Sequence, residues 1–315
     1  MRASVDQLTE TERPRRRSTL RVRARSLRAF SLPASTLPVL VAAAAVARPA
    51  QWRWDVLAVS VAGAALLHLA GNLLNDYFDF RGGADRRLED DEGRPGRVLV
   101  HGLLRPADVL AQAALALLLA CGAGAYIAWR CGAGPLAFAL AGLAGLYAYT
   151  GPPLRLKHRG LGELTIFAVF GPLLMLGAAW AQTGRFEPAA LLLSVPIGCA
   201  TTAILVGNNL RDRQEDRQAG IRTLAQLAGG RVARAAYMVL LLASALLPAA
   251  AAAAGFGPPG LLAAPLALLA AGRPAVSVWR GRRAPDIDRQ TAQYGTILML
   301  LILVACICPA FQRGL

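Results

Sequence analysis

Asn72, Asp76 and Asp79 are spaced i, i+4, i+7, and Asn208, Asp212 and Asp216 are spaced i, i+4, i+8. On an α-helix each set falls along one face. Carboxylates one turn apart repel each other unless a cation lies between them. Hard divalent cations take oxygen ligands, and Mg²⁺ is held by one or two carboxylates together with water and a substrate's phosphate oxygens. The pattern points to Asp76, Asp79, Asp212 and Asp216 as Mg²⁺ ligands. The competing arrangement is a solvated ion-pair network with Arg81, Arg211, Arg213 and Arg217. An isolated Asp-x-x-Asp would favour the network, whereas two registered copies favour the metal. The copies share a longer pattern, Gly-Asn-x-Leu-x-Asp, at Gly71 to Asp76 and Gly207 to Asp212, which reads as a pseudo-repeat.

A phosphate-bearing ligand also needs cations that stay charged. Arg94, Arg97, Arg155, Lys157, Arg159 and Arg222 lie in polar segments near the acidic motifs. Arginine offers forked, bidentate contacts, whereas lysine is a compact point charge. Lys157 is the sole lysine among 34 basic residues, so its survival in this place implies that an ammonium is wanted there. The run Glu89-Asp90-Asp91-Glu92 reads as solvated loop surface. His68, one turn before Asn72, reads as a packing residue with a hydrogen bond. Cys121, Cys131, Cys199, Cys306 and Cys308 form no Cys-x-x-Cys pair and read as packing residues.

The elements that hold these motifs must suit the rest of the chain. Of 315 residues, 55% are hydrophobic and only 17% charged, where a soluble domain carries about a quarter. That balance excludes an ordinary soluble enzyme, a disordered chain and a disulfide scaffold. Nine apolar stretches have the character of membrane spans, centred on 31–47, 56–75, 107–128, 133–149, 163–182, 188–208, 233–254, 258–272 and 290–310. The first and eighth are short, and Pro33 and Pro38 interrupt the first. The net charge of +15 is topological: 29 of the 34 basic residues fall in 1–30, 80–106, 151–160, 211–234 and 273–289, on alternate linkers. Nine crossings from a cytoplasmic N-terminus put all five segments on the cytoplasmic side, facing anionic membrane lipid. No folded basic domain remains to bind nucleic acid. Residues 1–30 read as a disordered basic cytoplasmic tail. Ala45-Val46-Ala47 mimics a signal-peptide cleavage site, but the long basic region and the prolines favour a retained first span.

Four blocks carry a family resemblance: Arg28 to Pro33; Asn72 to Asp79 (NLLNDYFD); Tyr149 to Glu163 (YTGPPLRLKHRGLGE); and Asn208 to Leu224 (NNLRDRQEDRQAGIRTL). With them the chain resembles the UbiA superfamily of membrane prenyltransferases over nearly its whole length. The ending NNLRD…D…AG-x-RT, the GLGE sequence and Asp85 six positions after Asp79 resemble the branch that prenylates 1,4-dihydroxy-2-naphthoate in menaquinone biosynthesis. The resemblance implies an all-α transmembrane bundle of about nine helices over 31–315, with a central cavity and cytoplasmic cap loops, in a bacterial-type inner membrane.

The same resemblance assigns roles. Asp76, Asp79, Asp212 and Asp216 hold two Mg²⁺ ions that bridge a polyprenyl diphosphate. Asn72 and Asn208 orient those carboxylates or meet the diphosphate, and Lys157, Arg97 and Arg222 neutralise the leaving group. Tyr149 either faces the allylic cation with its ring or anchors a span at the interface. Asp85 and Glu163 position or deprotonate the aromatic acceptor. The alternatives are another acceptor, such as 4-hydroxybenzoate or haem, or a secondary transporter, which would hold its carboxylates nearer the midplane.

Overall fold

The computed structural model describes residues 22–23, 26–83, 98–282 and 284–308. Among them the chain is all-helical, with nine helices long and apolar enough to cross a membrane. In chain order the helices are α1 (Ala29–Val46), α2 (Trp54–Arg81), α3 (Pro106–Cys131), α4 (Ala133–Thr150), α5 (Gly162–Thr183) and α6 (Pro188–Arg211). They continue with the short α7 (Arg213–Ala219) and α8 (Leu224–Leu227), then α9 (Gly229–Ala253), α10 (Pro259–Trp279) and α11 (Ile287–Ile307). Backbone groups in hydrocarbon must be satisfied within their own segment, which is why apolar stretches of this length become helices.

The two spans with weak sequence signals form for identifiable reasons. Pro33 stands at the first turn of the α-helical part of α1, where its missing N–H costs nothing. α10 starts as a 3₁₀ segment, Pro259–Ala267, before continuing as α-helix to Trp279, so it reaches beyond the expected 258–272. Within α5 a π turn at Val169–Leu173 contains Pro172. Gly171 in that turn lies against α6 so closely that a Cβ would stand 2.7 Å from the Ser194 carbonyl oxygen and 3.0 Å from Gly198 Cα. Small residues allow this approach where apolar contact with lipid gives no driving force of its own.

α6 is the central helix, packed against α5, α9, α11 and α1. A buried core of Val41, Ile197, Tyr237, Leu261 and Leu298, with others, joins these elements and α10. Two buried polar pairs lie inside it: Tyr237 with Thr291 at 2.8 Å, and Tyr294 with Ser244 at 2.6 Å. A second cluster joins Leu73 and Leu74 of α2, Val98 and Leu99, and Val109 and Ala113 of α3. Most of the expected tail, residues 1–21, lies outside the described residues. Its end does not trail away: Ser26 is fully buried, and Arg28 reaches into the bundle.

Candidate active site

α1, α2, α4, α5, α6 and the start of α11 enclose a cavity of about 530 Å³. The two acidic faces read from the sequence both line it: Asn72, Asp76 and Asp79 from α2, and Asn208, Asp212 and Asp216 from the end of α6 and from α7. α6 ends at Arg211 and the chain bends at Asp212, which caps α7. The backbone bonds Asp212 N–H to Asn208 O and Asp216 N–H to Asp212 O, both 2.8 Å, carry the helical register across the bend. The expected alignment therefore survives a helix boundary. Away from the acids the wall is apolar, with Leu146, Ile166, Val169, Phe170 and Leu205.

Among the described residues, three of the four acids form an ion pair with a basic side chain. Asp76, only 2% exposed, is paired with Arg28. Lys157 Nζ donates to Asp79 Oδ2 at 2.6 Å and to Asn75 Oδ1 at 3.2 Å, and His158 Nε2 stands 3.5 Å from Asp79 Oδ1. Arg211 grips Asp212 with two bonds, 2.7 and 2.8 Å, and reaches Asp288 at 3.2 Å. The Arg211–Asp212 contact is one that the ion-pair alternative anticipated. Burial opposes the charge on Lys157, but Asp79 beside it outweighs that and holds the ammonium above the usual lysine range. Asp216 behaves oppositely: burial, with Asp212, Asp79 and Glu215 nearby, pushes it up to about 7 against the pull of Lys157. A carboxylate raised in this way is one that a divalent cation would relieve.

Among the described residues no three carboxylate, histidine or cysteine side chains converge to hold an ion by themselves. The four aspartates thus do not form a closed cage, and Asp76, Asp79 and Asp212 are paired instead with Arg28, Lys157 and Arg211. The donor set nevertheless fits Mg²⁺. The acidic end of the cavity offers carboxylate and amide oxygens, which are hard donors, and Asp79 Oδ1 and Asn208 Oδ1 are buried there without a hydrogen-bond partner. Mg²⁺ needs only one or two carboxylates when water and phosphate complete its shell.

The other expected site residues divide. Tyr149 lines the cavity, and Gly162 makes room for it: a Cβ there would lie 3.3 Å from both Tyr149 Cε2 and Lys157 Cα. Asn72 lines it too, but its amide donates to Ser31 Oγ at 3.4 Å and Leu27 O at 3.5 Å, orienting the entry to α1 and not a carboxylate. Glu163 does not line the cavity; it accepts from Asn209 at 2.8 Å and from Leu224 N–H at 3.2 Å, tying α5 to α6 and α8. Arg222 is exposed, and its backbone bridges Arg159 instead of bringing a cation to the acids. Arg97 and Asp85 lie outside the described residues. Sequence reasoning missed Arg28 as the partner of Asp76, Asn75 as the second oxygen on Lys157, and Asp288. Asn75 was findable, being four residues before Asp79; Asp288 lay in a segment read only for its positive charge.

The profile of the UbiA prenyltransferase family matches residues 35–308. A Drosophila melanogaster relative, UbiA prenyltransferase domain-containing protein 1 homolog, is 32% identical over 291 residues, covering 90% of this chain and 78% of the relative. The Rattus norvegicus UbiA prenyltransferase domain-containing protein 1 is 36% identical over 220 residues, covering 69% of this chain and 63% of its own length. The chain thus spans less than two thirds of the rat relative. Among solved structures, the fold is similar to a UbiA homolog from Archaeoglobus fulgidus bound to GPP and Mg²⁺ (TM-score 0.65, 16% identity, 92% of this chain and 99% of that one). It is also similar to an apo UbiA homolog from Aeropyrum pernix K1 (TM-score 0.65, 21% identity, 88% and 94%).

Proposed function

The chain belongs to the UbiA prenyltransferase family, and on that premise we propose that it transfers a polyprenyl chain from its diphosphate to 1,4-dihydroxy-2-naphthoate. The reading takes Mg²⁺ as the metal, residues 31–315 as the catalytic domain and the arginine-rich face as cytoplasmic. One observation carries it: a single cavity has an acidic, amide-rich end continuous with an apolar wall inside the bundle. A diphosphate suits the first and an isoprenoid the second. The acceptor rests on the sequence likeness of Asn208 to Leu224 to the naphthoate branch, while the relatives named above carry the broader family name. The metal is supported by the fold's likeness to a homolog that holds GPP and Mg²⁺.

Asp76, Asp79, Asp212 and Asp216 would hold the ions, and bound Mg²⁺ supplies charge stabilisation to the departing diphosphate. Lys157, kept charged by Asp79, and Arg28 lie at the same end of the cavity and present positive charge to the leaving group. As the allylic C–O bond breaks, the diphosphate leaves with the electron pair and positive charge develops on the isoprenoid carbon. Preorganised cations at the leaving-group end lower that barrier because they need no reorganisation. The apolar wall, with Phe170 and Leu146, excludes water that would quench the cation. Tyr149 offers its ring face to the same charge. The acceptor's ring carbon then attacks, and with a naphthoate acceptor its carboxylate leaves as carbon dioxide.

Membranes containing the protein are incubated with Mg²⁺, a radiolabelled polyprenyl diphosphate and, in parallel, 1,4-dihydroxy-2-naphthoate or 4-hydroxybenzoate. The expected result is a labelled product with the naphthoate, lost in Asp76→Asn and Asp212→Asn. Transfer only to 4-hydroxybenzoate overturns the acceptor, and full transfer by both variants overturns the site.

A further inference from the structure

We propose that His68 is a positioning residue for the diphosphate end of the cavity, clamping the segment from Leu27 to Ser35 onto α2 so that Arg28 is held against Asp76. His68, Asn72 and Asp76 are spaced i, i+4, i+8 and share one face of α2. All three grip the same segment. His68 Nε2 lies 3.1 Å from Ser31 Oγ and Nδ1 lies 2.9 Å from Ser35 Oγ. Asn72 takes Ser31 and Leu27 O, and Asp76 takes the Arg28 guanidinium.

That segment needs holding. Arg28 has φ 51° and ψ 44°, a left-handed conformation that a residue with a Cβ seldom adopts. Its carbonyl accepts both the Ser31 N–H and the Ser31 hydroxyl, each at 2.9 Å. Ser31 is therefore the hinge pin of the Arg28 turn, and His68 holds Ser31. Ser31 and Ser35 turn their hydroxyl hydrogens to Arg28 O and Leu32 O, so each presents an acceptor to the ring, and the single N–H of a neutral imidazole donates to one of them while the other serine stays in contact. Phe170 packs edge-on against the ring at 5.1 Å and fixes its tilt. A leucine would fill the same space but make neither contact.

The test has two arms, and only the kinetic one rests on the function proposed above. Full-length protein in nanodiscs is digested briefly with trypsin, which cuts after arginine, and cleavage after Arg28 is followed by mass. Cleavage of a protected bond tracks the population of its opened state. His68→Leu is expected to speed this cut about tenfold, on the order of one lost hydrogen bond, and His68→Asn to fall between. In the transfer assay, His68→Leu is expected to raise KM for the polyprenyl diphosphate about tenfold with acceptor KM unchanged. It should add nothing in an Arg28→Ala background, since both changes remove the same contact. A residue that merely packs would give losses that add and an unchanged cut. An unchanged tryptic rate, or additive losses, overturns the proposal. Should His68→Leu fail to fold, Ser31→Ala with Ser35→Ala carries the same two arms.

Discussion

Replacing Lys157 by methionine isolates the ammonium from its stem. Nζ lies 2.6 Å from Asp79 Oδ2, and the two side chains are only 17% and 9% exposed. Methionine keeps most of the apolar length and removes the charge and its donors. A hydrogen bond to a charged group contributes about 1.5–3 kcal/mol, and breaking a buried pair from one side costs about 3–5 kcal/mol. Loss of about 3–4 kcal/mol of transition-state stabilisation, at about 1.4 kcal/mol per factor of ten, gives a 100- to 1,000-fold fall in kcat/KM. Lys157→Arg keeps the charge, but a planar fork cannot put one compact donor between Asn75 and Asp79, so a fall of about tenfold is expected. The Lys157 pKa is raised in the fold, so its stabilising contribution is fully present below the unfolded value of about 10.4 and is lost only at higher pH. Assays between pH 7 and 9 therefore report an intact pair. The assay is label transfer by purified protein, with thermal unfolding measured alongside. Asp79→Asn in the Lys157→Met background should recover melting temperature without recovering transfer. Lys157→Met within threefold of wild type would refute the reasoning, as would a double variant no more stable than the single one.

The remaining expectations concern packing, role assignment and metal. Gly171→Ala places a Cβ against backbone that cannot yield and should cost about 1–3 kcal/mol, read as a lower melting temperature in detergent. Glu163→Ala strands the Asn209 amide and the Leu224 N–H and should cost about 1–3 kcal/mol of stability. Acceptor KM should stay within twofold, and a large rise would return Glu163 to the acceptor site. Chelation by EDTA should abolish transfer, with Mg²⁺ restoring it, and calorimetry of Asp216→Asn with Mg²⁺ and inorganic diphosphate should show weakened binding; transfer that persists in EDTA would remove the metal from the scheme.

Much of the architecture was legible because the membrane makes few demands and makes them strictly. Apolar length located the spans, and the arginine-rich linkers fall on alternate connections between them. The blurred places were those where proline altered the local helix: the entry to α1 at Pro33 and the 3₁₀ start of α10 at Pro259. The acidic residues were legible too, because Asp76, Asp79, Asp212 and Asp216 fall in helical register. Their partners were not, since Arg28 meets Asp76 across 48 residues of chain and Lys157 meets Asp79 across 78, and no local pattern encodes such distances. Glu163 and Arg222 show the converse: a motif position does not fix where a side chain goes. Both stand inside a motif that resembles the family's, but one turns to tie helices together and the other faces outward.

The pairing of Asp76 with Arg28, Asp79 with Lys157 and Asp212 with Arg211 alters what arrival of a ligand means. Most of the acidity is already cancelled by the chain's own cations, two of them from distant segments and Arg211 from the neighbouring position, so the pocket is not a naked anionic well in a greasy wall. On the function proposed above, occupation would be an exchange of partners, in which acids turn to incoming ions while the released guanidinium and ammonium groups meet phosphate. Selectivity would follow from that exchange: a metal alone would leave the basic groups stranded, and an anion alone would strand the acids. Only the two together would match both sets.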